Sequence, residues 1–231
     1  MSKPRFFIDF KYTSREDKTE YVWWKYREIL QGRILDAGAD QCGLKKFLPR
    51  GTKYIGIGLG GSVDVEIDLE KETLPYEDNS FDCVLCSDTL EHLDNIHQVF
   101  DELCRVTSKY LIISLPNPWA SFIAMLRGGY YKHRELPMKF YNLPADPPKD
   151  RHKWFYGAHE AERFLKVRGR RNGMEVLQLD RENASPNLKR RLYRIVLKLI
   201  VHKDVDVNSL WSGSVWVVLV KKQKILRSFQ E

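Results

Sequence analysis

The chain is predicted to fold as an α/β domain, a parallel sheet with helices on both faces. Three observations carry this expectation. Short strand-like runs recur at Ile34–Ala37, Tyr54–Ile57, Val63–Ile67, Phe81–Cys86 and Tyr110–Leu115, separated by turn residues or helical patterns. The first run passes into a glycine-bearing loop, Asp36-Ala37-Gly38-Ala39-Asp40-Gln41-Cys42-Gly43. Between the fourth and fifth runs, Ile96, Val99, Phe100, Leu103 and Val106 fall at helical spacing.

The elements follow in chain order. Ser14 and Asp17 make a capping box for a helix over 15–31, whose apolar stripe is Tyr21, Trp24, Ile29 and Leu30 and which Gly32 ends. After the first strand and its loop, a helix is expected over about 44–48. Asp94 is positioned to cap the helix of 96–106. Between 127 and 155 the pattern breaks into a connection rich in Gly, Pro, Tyr, Lys and Arg. A connection of this length in a compact domain is usually functional or disordered, and its aromatics favour function. A helix over about 158–167, a strand over about 174–179, an amphipathic helix over 187–202 and a strand over 215–220 complete the chain. The whole reads as a single domain, 1–231, with a cofactor-binding half at 33–115 and an acceptor-side half at 116–231.

The sequence has 231 residues, 43% of them hydrophobic, with four cysteines and a formal net charge of +7. Its most apolar run, Val215 to Val220, is far shorter than a membrane span, so a soluble cytoplasmic protein is expected. Cys83 and Cys86 have the spacing of a metal knuckle. In a strand, however, residues three apart point to opposite faces, and no second pair follows, so no metal site is expected from them. Basic residues cluster at 166–171, 189–194 and 221–227. Such clusters suit nucleic acid, anionic lipid or an acidic substrate, and equally a merely soluble basic surface.

The glycine loop resembles a cofactor cradle, in which backbone approaches a ligand closely and the next helix offers its first N–H groups. Asp36 and Asp40 would repel a pyrophosphate and attract an ammonium or sulfonium group. S-adenosylmethionine carries both charges.

Two further blocks narrow the reading. Leu74-Pro75-Tyr76-Glu77-Asp78-Asn79-Ser80-Phe81-Asp82-Cys83-Val84 is followed by Ser87-Asp88-Thr89-Leu90-Glu91-His92-Leu93. With Leu35-Asp36-Ala37-Gly38, Tyr54-Ile55-Gly56-Ile57-Gly58 and Asp68-Leu69, these resemble the class I S-adenosylmethionine-dependent methyltransferases, in particular the group called methyltransferase type 11. The resemblance spans about 33–115, with a weaker echo to Val220. It implies a Rossmann-like seven-stranded sheet, mostly parallel, with an antiparallel last strand.

The resemblance also implies roles for residues. Asp36, Ala37, Gly38, Ala39 and Asp40 would surround the methionine part of the cofactor, with Asp36 holding its ammonium. Asp68 would take the adenine amino group and Leu69 would pack on the ring, although an Asp in such a place can equally cap a turn. Ser87 and Asp88 would flank the sulfonium. Gly58 stands where the family usually has an acidic residue for the ribose; Asp64 or the backbone of 59–62 is the substitute this sequence offers. His92 is the nominated general base, and His133 and His152 are weaker candidates. Leu115-Pro116-Asn117-Pro118-Trp119 reads as a turn that starts the acceptor wall, and Tyr130, Tyr131, Trp154 and Phe155 read as a lid or as core.

The expected activity is methylation of a hydroxyl on a small metabolite, saccharide or lipid-linked acceptor. The basic amphipathic helix adds an expected peripheral contact with anionic membrane. An RNA methyltransferase, supported by the charge, and a non-catalytic binding protein of the same fold, suggested by Gly58, are the alternatives.

Overall fold

The structure is a computed structural model that describes residues 5–8, 12, 14–128, 138, 140–141, 143–148, 150–183 and 188–222. Seven strands form one sheet: β1 (Arg33–Ala37), β2 (Lys53–Gly58), β3 (Val65–Glu66), β4 (Phe81–Ser87), β5 (Thr107–Leu115), β6 (Met174–Asn183) and β7 (Ser212–Lys221). Their order is β3-β2-β1-β4-β5-β7-β6. Neighbours from β3 to β5 pair in parallel, while β7 runs antiparallel to both β5 and β6. The expected sheet is therefore present, with the last strand inserted between its two predecessors.

Alternation along the central strands explains both cores. Leu35, Val84, Cys86, Leu111, Ile113, Val217 and Leu219 bury on one face; Ile34, Cys83, Leu85, Ile112, Trp216 and Val218 bury on the other. Strands covered on both sides read as nearly continuous apolar runs, as buried parallel strands do. The first face is covered by α2 (Ile96–Val106), through Ile96, Val99, Phe100 and Leu103, and by α4 (Ala158–Arg171), through Ala158, Ala161 and Leu165. On the second face lies α1 (Arg15–Tyr26), with Tyr21, Val22 and Tyr26 against Trp216. Cys83 and Cys86 fall in opposite cores, and all four cysteines are buried.

Several boundaries differ from the sequence expectation for local reasons. The Ser14 box forms as expected, with Ser14 Oγ accepting from Asp17 N at 3.1 Å. α1 stops at Tyr26, five residues early, because the chain turns there toward Gly32, whose φ is +74°. The helix expected over 44–48 is a single 3₁₀ turn, Gly43–Lys46, entered through Cys42 in the left-handed region. α2 is entered from Asn95 without a side-chain cap, since Asp94 pairs with Lys153 instead. A helix not expected, α3 (Pro118–Gly128), starts where a turn was expected; proline at a helix's first position gives up an N–H that has no partner there. α5 (Leu188–Ile200) matches the predicted amphipathic helix. Among the described residues no helix is long and apolar enough to cross a membrane.

Candidate active site

Strand order reverses between β1 and β4, which lie side by side while their following connections lead to opposite sides. Open α/β sheets bind ligands in the crevice beyond the carboxyl ends of strands at such a point. Here the crevice lies beyond Ala37 and Ser87, and Thr89 fastens it. Thr89 Oγ1 donates to Ser87 O at 3.2 Å and to Ala37 O at 3.4 Å.

Gly38 sits directly against Thr89. Its φ is +81°, and a Cβ there would overlap the Thr89 side chain, so conformation and space both demand glycine. The N–H groups of Gly38 and Ala39 both donate to Ile57 O, at 2.8 and 3.0 Å. They are therefore turned to β2, and the short 3₁₀ turn that follows gives no helix N-terminus for an anion. Ala37 is buried in the core at the end of β1.

The acidic groups divide by environment. Asp36 is buried and accepts from the Tyr54 hydroxyl at 2.7 Å. Burial pushes its carboxyl up to about 6, against the lowering effect of that hydrogen bond. Asp40 is half-exposed and pairs with Arg15 at 2.7 Å. Asp88 has a φ of +46°; it accepts from the Ser114 hydroxyl at 2.5 Å and pairs with Lys18, which reaches in from α1. Ser87 Oγ lies 3.0 Å from Ser114 Oγ. Lys18 is a site residue the sequence reading missed, because nothing local ties α1 to the end of β4.

The adenine and ribose side is less open to a ligand. Asp68 caps its own turn, accepting from Glu70 N at 3.0 Å, and pairs with the exposed Lys71 at 2.8 Å. Leu69 belongs to the core. A side chain at Gly58 would meet only ordinary contacts with Gly38, Ala39 and Val63, so the space for an acid exists although the acid does not. Asp64 accepts from Gly56 N at 2.9 Å and pairs with Lys45.

Beyond the end of β4, the structure brings together residues far apart in the chain. Glu91 is fully buried, and neither carboxylate oxygen has a hydrogen-bond partner among the described residues. Burial holds its carboxyl well above the usual range, and nearby Asp88 adds to the effect. His92 Nε2 and His152 Nε2 lie 3.8 and 3.9 Å from Glu91 Oε1. His152 stacks flat on Phe140 at 4.2 Å between ring centres, and its Nδ1 is 3.1 Å from the Tyr141 hydroxyl. The buried Tyr156 hydroxyl also has no partner among the described residues. Beside it, Ile96, His97, Leu115, Trp154, Ala161 and Phe164 help line a cavity of about 150 Å³. Trp154 donates to Leu93 O at 2.7 Å, and Phe155 is exposed. Tyr130, Tyr131 and His133 lie outside the described residues. Asn117, in the turn-like motif, is buried and donates to Ser212 O at 2.7 Å, which anchors β7.

Residues 57–112 match the model of a methyltransferase domain. A solved S-adenosylmethionine-dependent methyltransferase from Archaeoglobus fulgidus superposes with a TM-score of 0.55 at 16% identity, covering 90% of this chain and 95% of the other. This is the class I methyltransferase fold. The small RNA methyltransferase HEN1 shares it, with a TM-score of 0.56 at 15% identity over 96% of this chain and 27% of that one. The [4+2]-cyclase SpnF shares it as well, with a TM-score of 0.52 at 16% identity, 89% of this chain and 81% of that one being covered. No curated protein sequence matches. At such identities the likeness to solved structures establishes the methyltransferase fold and leaves its use to the residues of this crevice.

Those residues fit S-adenosylmethionine best at its methionine end. Gly38 lets the loop turn tightly against Thr89 at the mouth of the crevice, Asp36 is a buried acid suited to an ammonium, and Lys18 is a cation suited to a carboxylate. At the adenine end Asp68 has Lys71, itself exposed, as its charged partner among the described residues, in an i,i+3 pair of little worth that a ligand amino group can replace.

Proposed function

We propose that this protein transfers a methyl group from S-adenosylmethionine to a hydroxyl oxygen of a small metabolite, saccharide or lipid-linked acceptor. The observation that carries the reading is the set of carboxylates at the switch-point crevice: Asp36 and Asp88 at the strand ends, with Glu91 and its two histidines beside them. The negative charge of Asp36 and Asp88 there complements a sulfonium cofactor, while Glu91, whose carboxyl burial pushes up, adds polarity rather than charge. When bound, the cofactor supplies an electrophilic methyl group for in-line displacement, a reaction in which holding the reactants in place is worth roughly 7–11 kcal/mol.

The residues of the chain would divide the work. Asp36 and Lys18 hold the amino-acid end, Asp68 the adenine amino group, and the backbone of 59–62 is the remaining candidate for the ribose. His92 or His152 takes the proton of the acceptor hydroxyl. Tyr156 and the adjoining apolar cavity favour an acceptor with an apolar portion. The demethylated cofactor should raise the melting temperature and titrate at one site per chain in calorimetry. Labelled methyl groups should then enter the lipid, glycan or small-molecule fraction of a lysate. Failure of both the cofactor and its product to bind would overturn the enzyme reading in favour of a binding protein with this fold, and label in RNA would establish the alternative that the +7 charge supports.

A lipid-linked acceptor gains support from α5. Leu192, Ile195, Val196, Leu199 and Ile200 are all exposed, and the same helix carries Lys189, Arg190, Arg194 and Lys198. A helix that exposes these apolar residues and is rich in lysine and arginine suits the surface of an anionic membrane. Vesicles containing phosphatidylserine should co-sediment the protein, and charge reversal at Lys189, Arg190 and Arg194 should release it. Equal sedimentation of the reversed variant would remove this part of the reading.

A further inference from the structure

Glu91 raises a question that methyl transfer alone does not answer. Its carboxylate is sealed from solvent, and no donor among the described residues reaches either oxygen. Leaving a buried acceptor unsatisfied is costly, so a structure that keeps one generally has a use for it. The groups nearest to it are the Nε2 atoms of His92 and His152, at 3.8 and 3.9 Å. These gaps are too long for hydrogen bonds. Asp88 and Asp150 add further negative charge around Glu91, which Lys18 only partly offsets.

We propose that Glu91, His92 and His152 bind a divalent transition-metal ion such as Zn²⁺ or Mn²⁺. Each residue offers one ligand atom, and the three atoms lie within 4.8 Å of one another. Ligands on an ion at bond lengths of ~2.0–2.2 Å stand roughly 3–3.5 Å apart, so closing around it requires a contraction of about half an ångström for each Glu91–histidine pair and of up to about 1.5 Å for a pair at the 4.8 Å limit. The far nitrogens of both imidazoles face oxygen partners. His92 Nδ1 is 2.6 Å from Asp150 Oδ1, although off hydrogen-bond alignment, and His152 Nδ1 is 3.1 Å from the Tyr141 hydroxyl. Metal-binding histidines are characteristically oriented in this way, with the outer nitrogen held so that the inner one presents its lone pair. The stack on Phe140 fixes the plane of His152 further.

Two imidazoles and one carboxylate favour zinc, manganese or iron over magnesium and calcium, which prefer all-oxygen sites. Three protein ligands also leave positions open for an exogenous group. The use of the ion rests on the proposed O-methylation, where it would supply a Lewis acid to the acceptor oxygen and so take the place of a His92 or His152 base, both imidazoles then being ligands. The existence of the site does not rest on that reading.

The test is calorimetric titration of the full-length chain, stripped with EDTA and free of any histidine tag, with Zn²⁺ and Mn²⁺, using Mg²⁺ for comparison. Replacement by Co²⁺ should give visible absorption from its nitrogen and oxygen ligands. One ion per chain is expected, bound at least 10-fold more tightly for Mn²⁺ than for Mg²⁺. Glu91→Gln and His152→Asn should each weaken binding by 100-fold or more, and Asp150→Asn by about 10-fold. Absence of uptake by the folded wild-type chain, or wild-type affinity in His152→Asn, would overturn the proposal; His152→Asn decides the matter should Glu91→Gln fail to fold. The demethylated cofactor is titrated in parallel. Its binding without ion uptake overturns the metal site alone, and ion uptake without its binding overturns the methyl-transfer reading alone.

Discussion

The two sides of the crevice treat their polar groups in opposite ways. On the β1–β2 side nearly every group has a partner within the chain: Gly38 and Ala39 with Ile57 O, Asp64 with Gly56 N and Lys45, Asp68 with its own turn. On the β4 side, Glu91 and the Tyr156 hydroxyl are buried with none among the described residues. The first side is a frame that holds its shape unaided. The second keeps a carboxyl and a hydroxyl buried without an internal partner, which is costly and which a bound group would relieve.

The comparison can be broken most severely from the core that supports both sides. Trp216 is fully buried between α1 and the sheet, and Trp216→Ala should cost about 3–5 kcal/mol in urea unfolding, with loss of cofactor-product binding as a consequence. Gly38→Ala should cost less stability, about 1–3 kcal/mol, through its positive φ and the Thr89 overlap, and should abolish that binding in calorimetry even where the chain stays folded. On the β4 side the sign reverses. Glu91→Leu should leave stability unchanged or raise it by about 1–3 kcal/mol while removing ion uptake and methyl transfer; a loss above about 2 kcal/mol would show that Glu91 belongs to the frame.

Asp36 sharpens the contrast through pH. Its carboxyl stands at about 6 in the fold, against an ordinary value near 4, so the folded chain binds the proton more tightly than the unfolded chain. The resulting penalty is absent below about pH 4, grows as pH rises through 6, and is complete above it. Acidifying from pH 7 to 5 should therefore stabilise wild type by roughly 1–2 kcal/mol relative to Asp36→Asn in matched unfolding curves. A ligand ammonium at Asp36 would lower its pKa, so binding near pH 6 should release a proton, detectable in buffers of different ionisation enthalpy. The smallest effect is expected at the surface: Leu199→Glu, at an 83% exposed position, should change stability by less than about 0.5 kcal/mol while weakening vesicle sedimentation.

Much of the β1–β4 side was legible in the sequence because its signals are local. Alternating strands, the apolar spacing of α2 and the Ser14 box each arise within a dozen residues. Local signals also misled. Asp94 looked like a cap, but the distant Lys153 engages it. A helix was expected after Gly43, where a left-handed Cys42 leads into a single 3₁₀ turn. Pro118 was read as part of a turn although it equally fits the first position of a helix.

The sequence by itself determined the α/β class, the strands and most of the helices, because backbone preference and hydrophobic period are properties of neighbouring residues. Tertiary structure alone decided that β7 enters between β5 and β6, that Lys18 reaches Asp88, and that His152 joins His92 at Glu91. Each of these depends on how sheet and helices pack, and packing brings together side chains whose separation along the chain leaves no periodic trace.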